Sequence, residues 1–472
     1  MHLHLRLFAR RCKNQHPCRM LENKQITAAC DGTSGRKRNN QVSKNQILGT
    51  ISLLALMTPG VAWASDECGP VNTASNPQTV TCTGAFASAA TNGISYDANT
   101  LATNGPIELR IASTVSGAFS LNTTGNAAVD AVTLVGAPGY AATIWSYADS
   151  EIYSARNGLV VRTSGTGTAG ISLEGTVNAR ALGLSADAGT DGMAIVSIVD
   201  TGVLDVEGSG AFVTGVSTRG AAGLVLTAGA ITVDSSSGSG TATGIEFVAA
   251  GAGSFGGARN VGTLSVTSGS QAAVGFSINT IDGEGTVQST GSVSVTSTSG
   301  PAIGAIFRDA GSTSGTTSFA NGGSFTVSSG GTATGLSVTG SVSVDIQLAT
   351  DEQFLSSTVD YSNGPSVFSV TGNSGISYGM LFTNIGGDVV INARGQEITI
   401  DGGAGNATGI AAGGSGLLGG FTFHISDAEY SLGHANGDFT VTSAGGQATG
   451  FDFMSVSSAV DGAIDIGSTG SS

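Results

Sequence analysis

Residues 264–278 are LSVTSGSQAAVGFSI, and residues 293–307 repeat the same pattern as VSVTSTSGPAIGAIF. Each copy begins with a run in which apolar residues alternate with small polar ones. A Ser/Gly-rich segment follows, and then a run of the form small–x–Gly–apolar. Alternation with a period of two is typical of a half-buried β-strand, and Gly and Ser favour tight turns. The repeated unit therefore predicts a strand, a turn and a second strand.

The glycine of this unit recurs along the second half of the chain, at intervals of 29, 31, 29, 31, 44, 30 and 41 residues. One unit cannot bury its apolar face alone, so the units must stack, which is typical of a solenoid. Short strands with no helix between them favour an all-β fold, a parallel β-helix of Gly/Ser/Thr-rich repeats, over a propeller. The constant place of the glycine predicts a corner where one backbone passes close to another. The recurring glycines are Gly215, Gly244, Gly275, Gly304, Gly335, Gly379, Gly409 and Gly450.

The charge of the chain is divided between two unlike parts. Residues 1–64 contain ten Lys or Arg and two acidic residues, whereas residues 65–472 contain eight Arg, no Lys and 31 acidic residues, a net charge of −23. A chain this acidic would repel a phosphate backbone, so we expect no nucleic-acid partner.

The first 64 residues have the features of a secretory signal peptide. An uncharged apolar run of eleven residues, 47–57, follows the basic stretch Arg36–Arg38 and precedes Ala62–Ala64. The run is too short to span a bilayer, which takes about 20 residues, and a basic region, a short apolar region and an Ala-x-Ala site together indicate export. We predict cleavage between Ala64 and Ser65, with Met1 and Met20 as alternative starts.

Export would leave two cysteines, Cys68 and Cys82. Two cysteines in an oxidising compartment most simply pair with each other, and closing a loop of about 15 residues stabilises a chain by about 3 kcal/mol. We therefore expect a disulfide within an N-terminal cap, residues 65–100, ahead of the repeats in 101–472. A catalytic cysteine is the alternative, and its partner would have to be His424 or His434.

The sequence contains no motif that predicts catalysis or a cofactor. Gly375–Gly379 matches Gly-x-Ser-x-Gly, but Gly379 is a recurring glycine of the repeat and no helix follows it. The acidic residues do not recur at a ligand spacing, so isolated Ca²⁺ sites are the only metal binding left open.

The stretch around Trp145, the only Trp after residue 64, is the most individual part of the chain. Trp145, Tyr147, Asp149 and Glu151 are candidates for glycan contact, because aromatic rings stack on sugars and carboxylates hydrogen-bond them. We expect instead that Trp145 and the tyrosines fill the core of the N-terminal coils, since buried aromatics are the common case.

The basic leader, the start Ser65–Pro70 and the stretch Thr79–Thr83 (TVTCT) resemble the passengers of Gram-negative autotransporters, the type V secretion family. The acidic, Gly/Ser/Thr-rich composition from residue 84 onward is also similar. The resemblance implies a right-handed β-helix that passes the inner membrane and the periplasm and is then surface-exposed or secreted. It also implies an outer-membrane β-barrel. No barrel pattern follows, so we expect an incomplete passenger whose barrel lies in the full-length chain or in a partner protein.

We therefore expect a non-enzymatic adhesin or interaction scaffold. Its expected partners are host or neighbouring-cell surface molecules or glycans. The alternative is a carbohydrate-active β-helix enzyme similar to polysaccharide lyases or hydrolases, which would need clustered carboxylates with a basic partner.

Overall fold

The computed structural model describes residues 68–468, with gaps at 70, 84, 87–91, 100–104, 113–117, 311–314, 342, 350–365, 395, 414–416, 419–420, 427, 431–432, 436–437, 455–456 and 459–463. These residues all belong to the second of the two units into which the chain divides, Ala64–Ser472. The predicted signal peptide and its cleavage site between Ala64 and Ser65 lie outside the described residues. Within the described ranges the chain forms strands and turns, and it contains no helix able to cross a membrane.

Three parallel sheets of 13, 12 and 12 strands contain almost all of the described strands. Sheet A consists of β1 (Gln78–Cys82), β4 (Ile107–Ile111), β7 (Ala142–Ser146), β10 (Thr168–Leu173), β13 (Met193–Ile198), β16 (Ala222–Thr227), β19 (Phe255–Asn260), β22 (Glu284–Ser289), β25 (Thr316–Asn321), β28 (Ser343–Ala349), β31 (Val389–Arg394), β35 (Phe421–Ser426) and β41 (Ile464–Ser468). Sheet B consists of β2 (Ala85–Phe86), β5 (Phe119–Thr123), β8 (Ser150–Ser154), β11 (Thr176–Ala179), β14 (Val203–Glu207), β17 (Ala230–Ser235), β20 (Thr263–Ser268), β23 (Ser292–Ser297), β26 (Ser324–Ser329), β29 (Ser366–Gly372), β32 (Gln396–Asp401) and β38 (Asp438–Thr442). Sheet C consists of β3 (Ile94–Asp97), β6 (Val132–Val135), β9 (Asn157–Arg162), β12 (Leu182–Asp187), β15 (Phe212–Gly220), β18 (Thr241–Ala249), β21 (Ala273–Thr280), β24 (Ala302–Asp309), β27 (Ala333–Thr339), β30 (Ser377–Thr383), β33 (Ala407–Gly413) and β39 (Ala448–Met454).

Strands that follow one another in the chain join sheets A, B and C in turn, so three strands make one coil. Two short ladders lie outside the sheets, β34 (Leu417–Leu418) with β40 (Ser457–Ser458) and β36 (Ala428–Tyr430) with β37 (Gly433–Ala435). The predicted all-β parallel solenoid is confirmed.

Coil length varies without disturbing the strand register. Thr168 of β10 pairs with Met193 of β13, 25 residues later, whereas Val344 of β28 pairs with Val389 of β31, 45 residues later. The added residues lie in the connections between strands, which tolerate insertions far better than a ladder does. A side chain therefore keeps its place in a column of the sheet from coil to coil.

Columns of apolar side chains fill the interior. In sheet B, one inward column from β20 to β32 contains Leu264, Val293, Phe325, Phe368 and Ile398, all with 1% exposure or less. The Phe325 and Phe368 rings stack at 5.3 Å between centroids. Full burial of such side chains stabilises a fold by about 1.5–3 kcal/mol each, so each coil contributes through its neighbours above and below.

A ladder of glycines runs down sheet C and places a bend in its strands. In β18, Gly244 and Ile245 are both buried, and their flanking residues Thr243 and Glu246 both reach solvent, so the alternation changes phase there. A Cβ added at Gly244 would lie 2.6 Å from the carbonyl oxygen of Gly275 in the next coil. The predicted corner with closely passing backbones is confirmed, and it explains why the repeat requires glycine.

Buried hydroxyl groups bind the carbonyl groups of the turns between sheets B and C. Ser268 Oγ donates to the carbonyl of Gly240 at 3.2 Å, and Ser329 Oγ donates to that of Gly300 at 2.7 Å. Turn carbonyls buried without a partner would each cost about 1–3 kcal/mol. The serines that end β20 and β26 thus support the corresponding turn of the preceding coil.

Cys68 and Cys82 form a disulfide bond, with their Cα atoms 4.6 Å apart. The Tyr96 hydroxyl accepts a hydrogen bond from the Cys68 amide at 3.2 Å and donates one to the Gly69 carbonyl at 3.1 Å. These bonds hold the chain start against β1 and β3, the first strands of sheets A and C. The predicted disulfide is confirmed.

Candidate interaction surface

The four residues singled out for glycan contact are divided between sheet A, the turn that follows it and sheet B. Trp145 is on the outer face of sheet A, because its neighbours Ile144 and Ser146 point into the core. Tyr147 is half-buried in the next turn and packs against the core. Asp149 is exposed in the same turn, and Glu151 is exposed on the outer face of sheet B. The expectation that Trp145 fills the core is therefore wrong.

Five neighbouring strands of sheet A give this outer face a distinct composition. Each strand contributes three outward positions, which together form what we call the sheet A face. By strand, the positions are Ala141, Thr143 and Trp145 at β7; Thr168, Gly170 and Ser172 in β10; Met193, Ile195 and Ser197 in β13; Ala222, Leu224 and Leu226 in β16; and Phe255, Gly257 and Arg259 in β19.

The large side chains of this face form a continuous apolar surface. A Cβ added at Gly257 would lie 3.0 Å from Phe255 Cε1 and 3.3 Å from Leu224 Cδ1, so both side chains cover the glycine. Ile195 precedes Leu224 in the same column, and Met193 is 41% exposed. Soluble proteins rarely expose a contiguous apolar area of this kind unless it serves an interaction.

At β10, beside this surface, the outward residues have small side chains or none. Gly170 has no side chain, and Ser172 is only 9% exposed. Gly170 follows Thr143 and precedes Ile195 in one column, and Ser172 follows Trp145 in the other. A Cβ added at Gly170 would lie 3.1 Å from Thr143 Oγ1, so Thr143 covers part of this position. The face therefore has large side chains at β16 and β19 and a shallow, partly filled depression at β10.

Charged residues of both signs lie at the two ends of the face, including the exposed Glu284 of β22, which follows Phe255 in its column. Next to Trp145, Arg110 of β4 donates to the Glu108 carboxylate at 2.8 Å. This hydrogen bond, together with the Glu108 charge, raises the pKa of the Arg110 guanidinium. At the other end, Arg259 forms no ion pair with any described residue. The five-strand face itself contains no carboxylate.

The outer face of sheet B differs in composition. One of its columns is formed by hydroxyl residues in seven successive coils, namely Thr232, Ser265, Ser294, Thr326, Ser369, Thr399 and Thr440. Carboxylates lie on the same face, and burial followed by the nearby charges of Glu207 and Asp234 raises the pKa of Asp205. Phe212, the most exposed large apolar residue of the described part at 75%, begins a sheet C strand and pairs there with polar Thr241.

No group of three or more His, Cys, Asp or Glu able to hold a metal ion occurs among the described residues. Burial raises the pKa of the Glu246 carboxyl, while a hydrogen bond from Ser217 Oγ at 3.4 Å opposes the shift. It lies in sheet C, away from the sheet A face, and Thr243 and Ser277 are its outward neighbours.

Comparison with protein-family models, with curated proteins and with solved structures finds no match to this chain.

Proposed function

We propose that this chain is an exported, non-enzymatic interaction scaffold of the autotransporter-passenger type, which binds a macromolecular partner at or beyond the cell surface. In this proposal, residues 1–64 direct export, cleavage follows Ala64, and the solenoid presents the sheet A face to its partner.

The observation that carries the proposal is the composition of the sheet A face. Trp145, Met193, Phe255 and Arg259 all lie on it, and Asp, Glu and Lys do not. Aromatic residues, Met and Arg are enriched at the centres of protein interfaces, whereas Asp, Glu and Lys are depleted. In a segment with a net charge of −23, a large partner meets less repulsion at a carboxylate-free face on five successive strands than at a face that carries carboxylates.

A flat sheet face supports binding better than catalysis. Its alternating side chains form a broad surface with one shallow depression, whereas catalytic sites are concave and bring acid, base and nucleophile together. The outward polar groups of the face are hydroxyls and one guanidinium, which offer hydrogen bonds but no acid–base pair.

The first test measures the affinity of the exported chain for cells and for a glycan array. The same measurement is made on the Leu226→Lys variant. We expect at least tenfold weaker binding, because the substitution places a charge in the apolar surface. Val203→Lys is the matched control, since Val203 is 40% exposed on sheet B and lies outside the face. Equal binding by all three chains would refute the role of the face. Release of products from an acidic polysaccharide would instead favour the carbohydrate-active enzyme.

Export has its own test. N-terminal sequencing of the secreted chain is expected to begin at Ser65, and a chain that retains residues 1–64 would refute the leader.

A further inference from the structure

The sheet A face is complementary to itself. Its projecting residues lie at β16 and β19, its depression lies at β10, and β13 lies midway between β10 and β16. We infer that the partner of this face is a second copy of the chain, docked face to face with its solenoid axis reversed. This inference rests on the proposed function, because it names the partner of the same surface.

The arrangement has one two-fold axis, parallel to the strands and passing over β13. It places β10 opposite β16 of the second copy and β7 opposite β19, while each outward column faces its own counterpart. Interfaces of this kind are isologous, so every pair of facing residues occurs twice.

Size complementarity follows from the register. Gly170 lies opposite Leu224 of the second copy, and Ser172 lies opposite Leu226, so each leucine meets a position with little or no side chain. Ile195 lies opposite its own counterpart on the axis. Two sheets that pack face to face are about 10 Å apart, and their side chains must interdigitate. The pairing of large side chains with small ones in this register allows that.

Charge complementarity follows from the same register. Arg259, which has no ion-pair partner among the described residues, lies opposite the outward Trp145 of the second copy, as a guanidinium over an aromatic face requires. Beyond these rows, Arg110 of β4 lies opposite Gln288 of β22. Glu108 of β4 lies opposite Thr286, two residues from Glu284, so the rim of the contact is polar and contains carboxylates. The five-strand faces bring no carboxylates together, although both chains are strongly acidic.

The area is sufficient for a specific dimer. Seven strands of sheet A from β4 to β22, at about 4.8 Å per strand and about 20 Å in strand length, cover roughly 700 Å² on each copy. Standard interfaces bury about 800 Å² per partner.

The inference is tested first by the mass of the full-length exported chain in solution, measured by sedimentation over a range of concentrations. A dimer is expected, and Leu226→Lys is expected to raise its dissociation constant at least tenfold, whereas Val203→Lys on sheet B leaves it unchanged. A chain that is monomeric throughout, or a dimer that both variants weaken equally, would overturn the inference.

Cross-linking tests the register without a disruptive substitution. Ser197→Cys places a thiol beside the axis, and a short bismaleimide is expected to join two such chains. Thr286→Cys lies on the same sheet but faces Glu108 in this pairing, and Ser265→Cys lies on sheet B, so neither is expected to cross-link to itself. Cross-linking of Thr286→Cys without cross-linking of Ser197→Cys would indicate parallel solenoids and contradict the two-fold over β13.

The two proposals fail in different ways. A monomeric chain that binds cells or glycans through the sheet A face would overturn the second-copy inference and leave the scaffold function standing. A monomeric chain that binds nothing through this face would overturn both.

Discussion

The glycine ladder of sheet C is the most demanding feature of this molecule at the scale of single residues. A Cβ at Gly275 would lie 2.5 Å from the carbonyl oxygen of Gly304 in the next coil. A Cβ at Gly215 or Gly244 would likewise lie 2.6 Å from the carbonyl oxygen of the next glycine in the ladder. The obstacle is backbone of the adjacent coil, which cannot move without breaking ladder hydrogen bonds on both sides. The glycines therefore set how closely the coils stack.

Gly275→Ala is expected to destabilise the chain by about 1–3 kcal/mol, the usual cost of overpacking a well-packed site. Gly450→Ala is the matched control, because Gly450 ends the same ladder and a Cβ there meets nothing within 4 Å. Urea unfolding followed by circular dichroism measures both. Equal loss in the two variants would show that the close approach between coils is not what requires glycine.

Glu246 makes stability depend on pH. Burial raises its pKa, so the folded chain binds the proton more tightly than the unfolded chain. The stability that the protonated group contributes is present below the ordinary pKa of Glu, about 4.3, and is lost as the pH rises through the folded-state value.

Glu246→Gln is therefore expected to be more stable than the parent chain at pH 7, by an amount that shrinks toward pH 4. Urea unfolding at several pH values measures the difference. Ser217→Ala removes the hydrogen bond that favours the carboxylate, so it should steepen the pH dependence. A difference between Glu246→Gln and the parent that is the same at pH 4 and pH 7 would contradict the assignment.

Each coil is stabilised mainly by packing against the coils above and below it, and less by contacts among its own residues. A strand of five or six residues buries a few apolar side chains, and the columns continue them into the coils above and below. Stability in such a stack is close to a sum over neighbouring units. Among the described strands, the first coil has a neighbour on one side only, and the disulfide between Cys68 and Cys82 stabilises it.

Replacement of both cysteines by serine is expected to remove about 3 kcal/mol of stability from the start of the chain. Because the coils contribute locally, we expect faster hydrogen exchange in β1 and β3 and little change beyond β13. Hydrogen exchange resolved by mass spectrometry measures this. Uniformly faster exchange in every coil would show that the disulfide supports the whole stack instead of its first coil.

Much of the solenoid follows from the sequence because its determinants are local. The alternation around residues 264–307, the recurring glycines and the pair of cysteines each predict a feature that the structure contains. The number of residues between two successive recurring glycines equals the number of residues in one coil, counted from one sheet C strand to the next.

The sheet A face does not follow from the sequence, since its residues are distant in the chain. Trp145 and Arg259 are 114 positions apart and share a column only because five strands keep their register across coils of unequal length. The direction of Trp145 depends on the phase of β7, and a shift of one residue would turn it into the core. Its size indicated burial, and the neighbouring Ala142 and Ile144 occupy the inward positions instead.

At the scale of the described solenoid, the sheet A face combines large apolar side chains, among them Trp145, Met193 and Phe255, with the absence of carboxylates. Sheet B offers hydroxyls and carboxylates, and sheet C bends at its glycines. A partner, whether a second copy or a cell-surface molecule, is therefore expected to dock on sheet A, with the side chains near β13 at the centre of the contact.

Hydroxyl-radical footprinting of the protein tests this claim most directly. Oxidation of Trp145 and Met193 is expected to fall when the chain is concentrated or bound to cells. Oxidation of Phe212 on sheet C and Tyr153 on sheet B is expected to stay constant. Protection of Phe212 or Tyr153 with Trp145 and Met193 unchanged would contradict the account and place the interaction on another face.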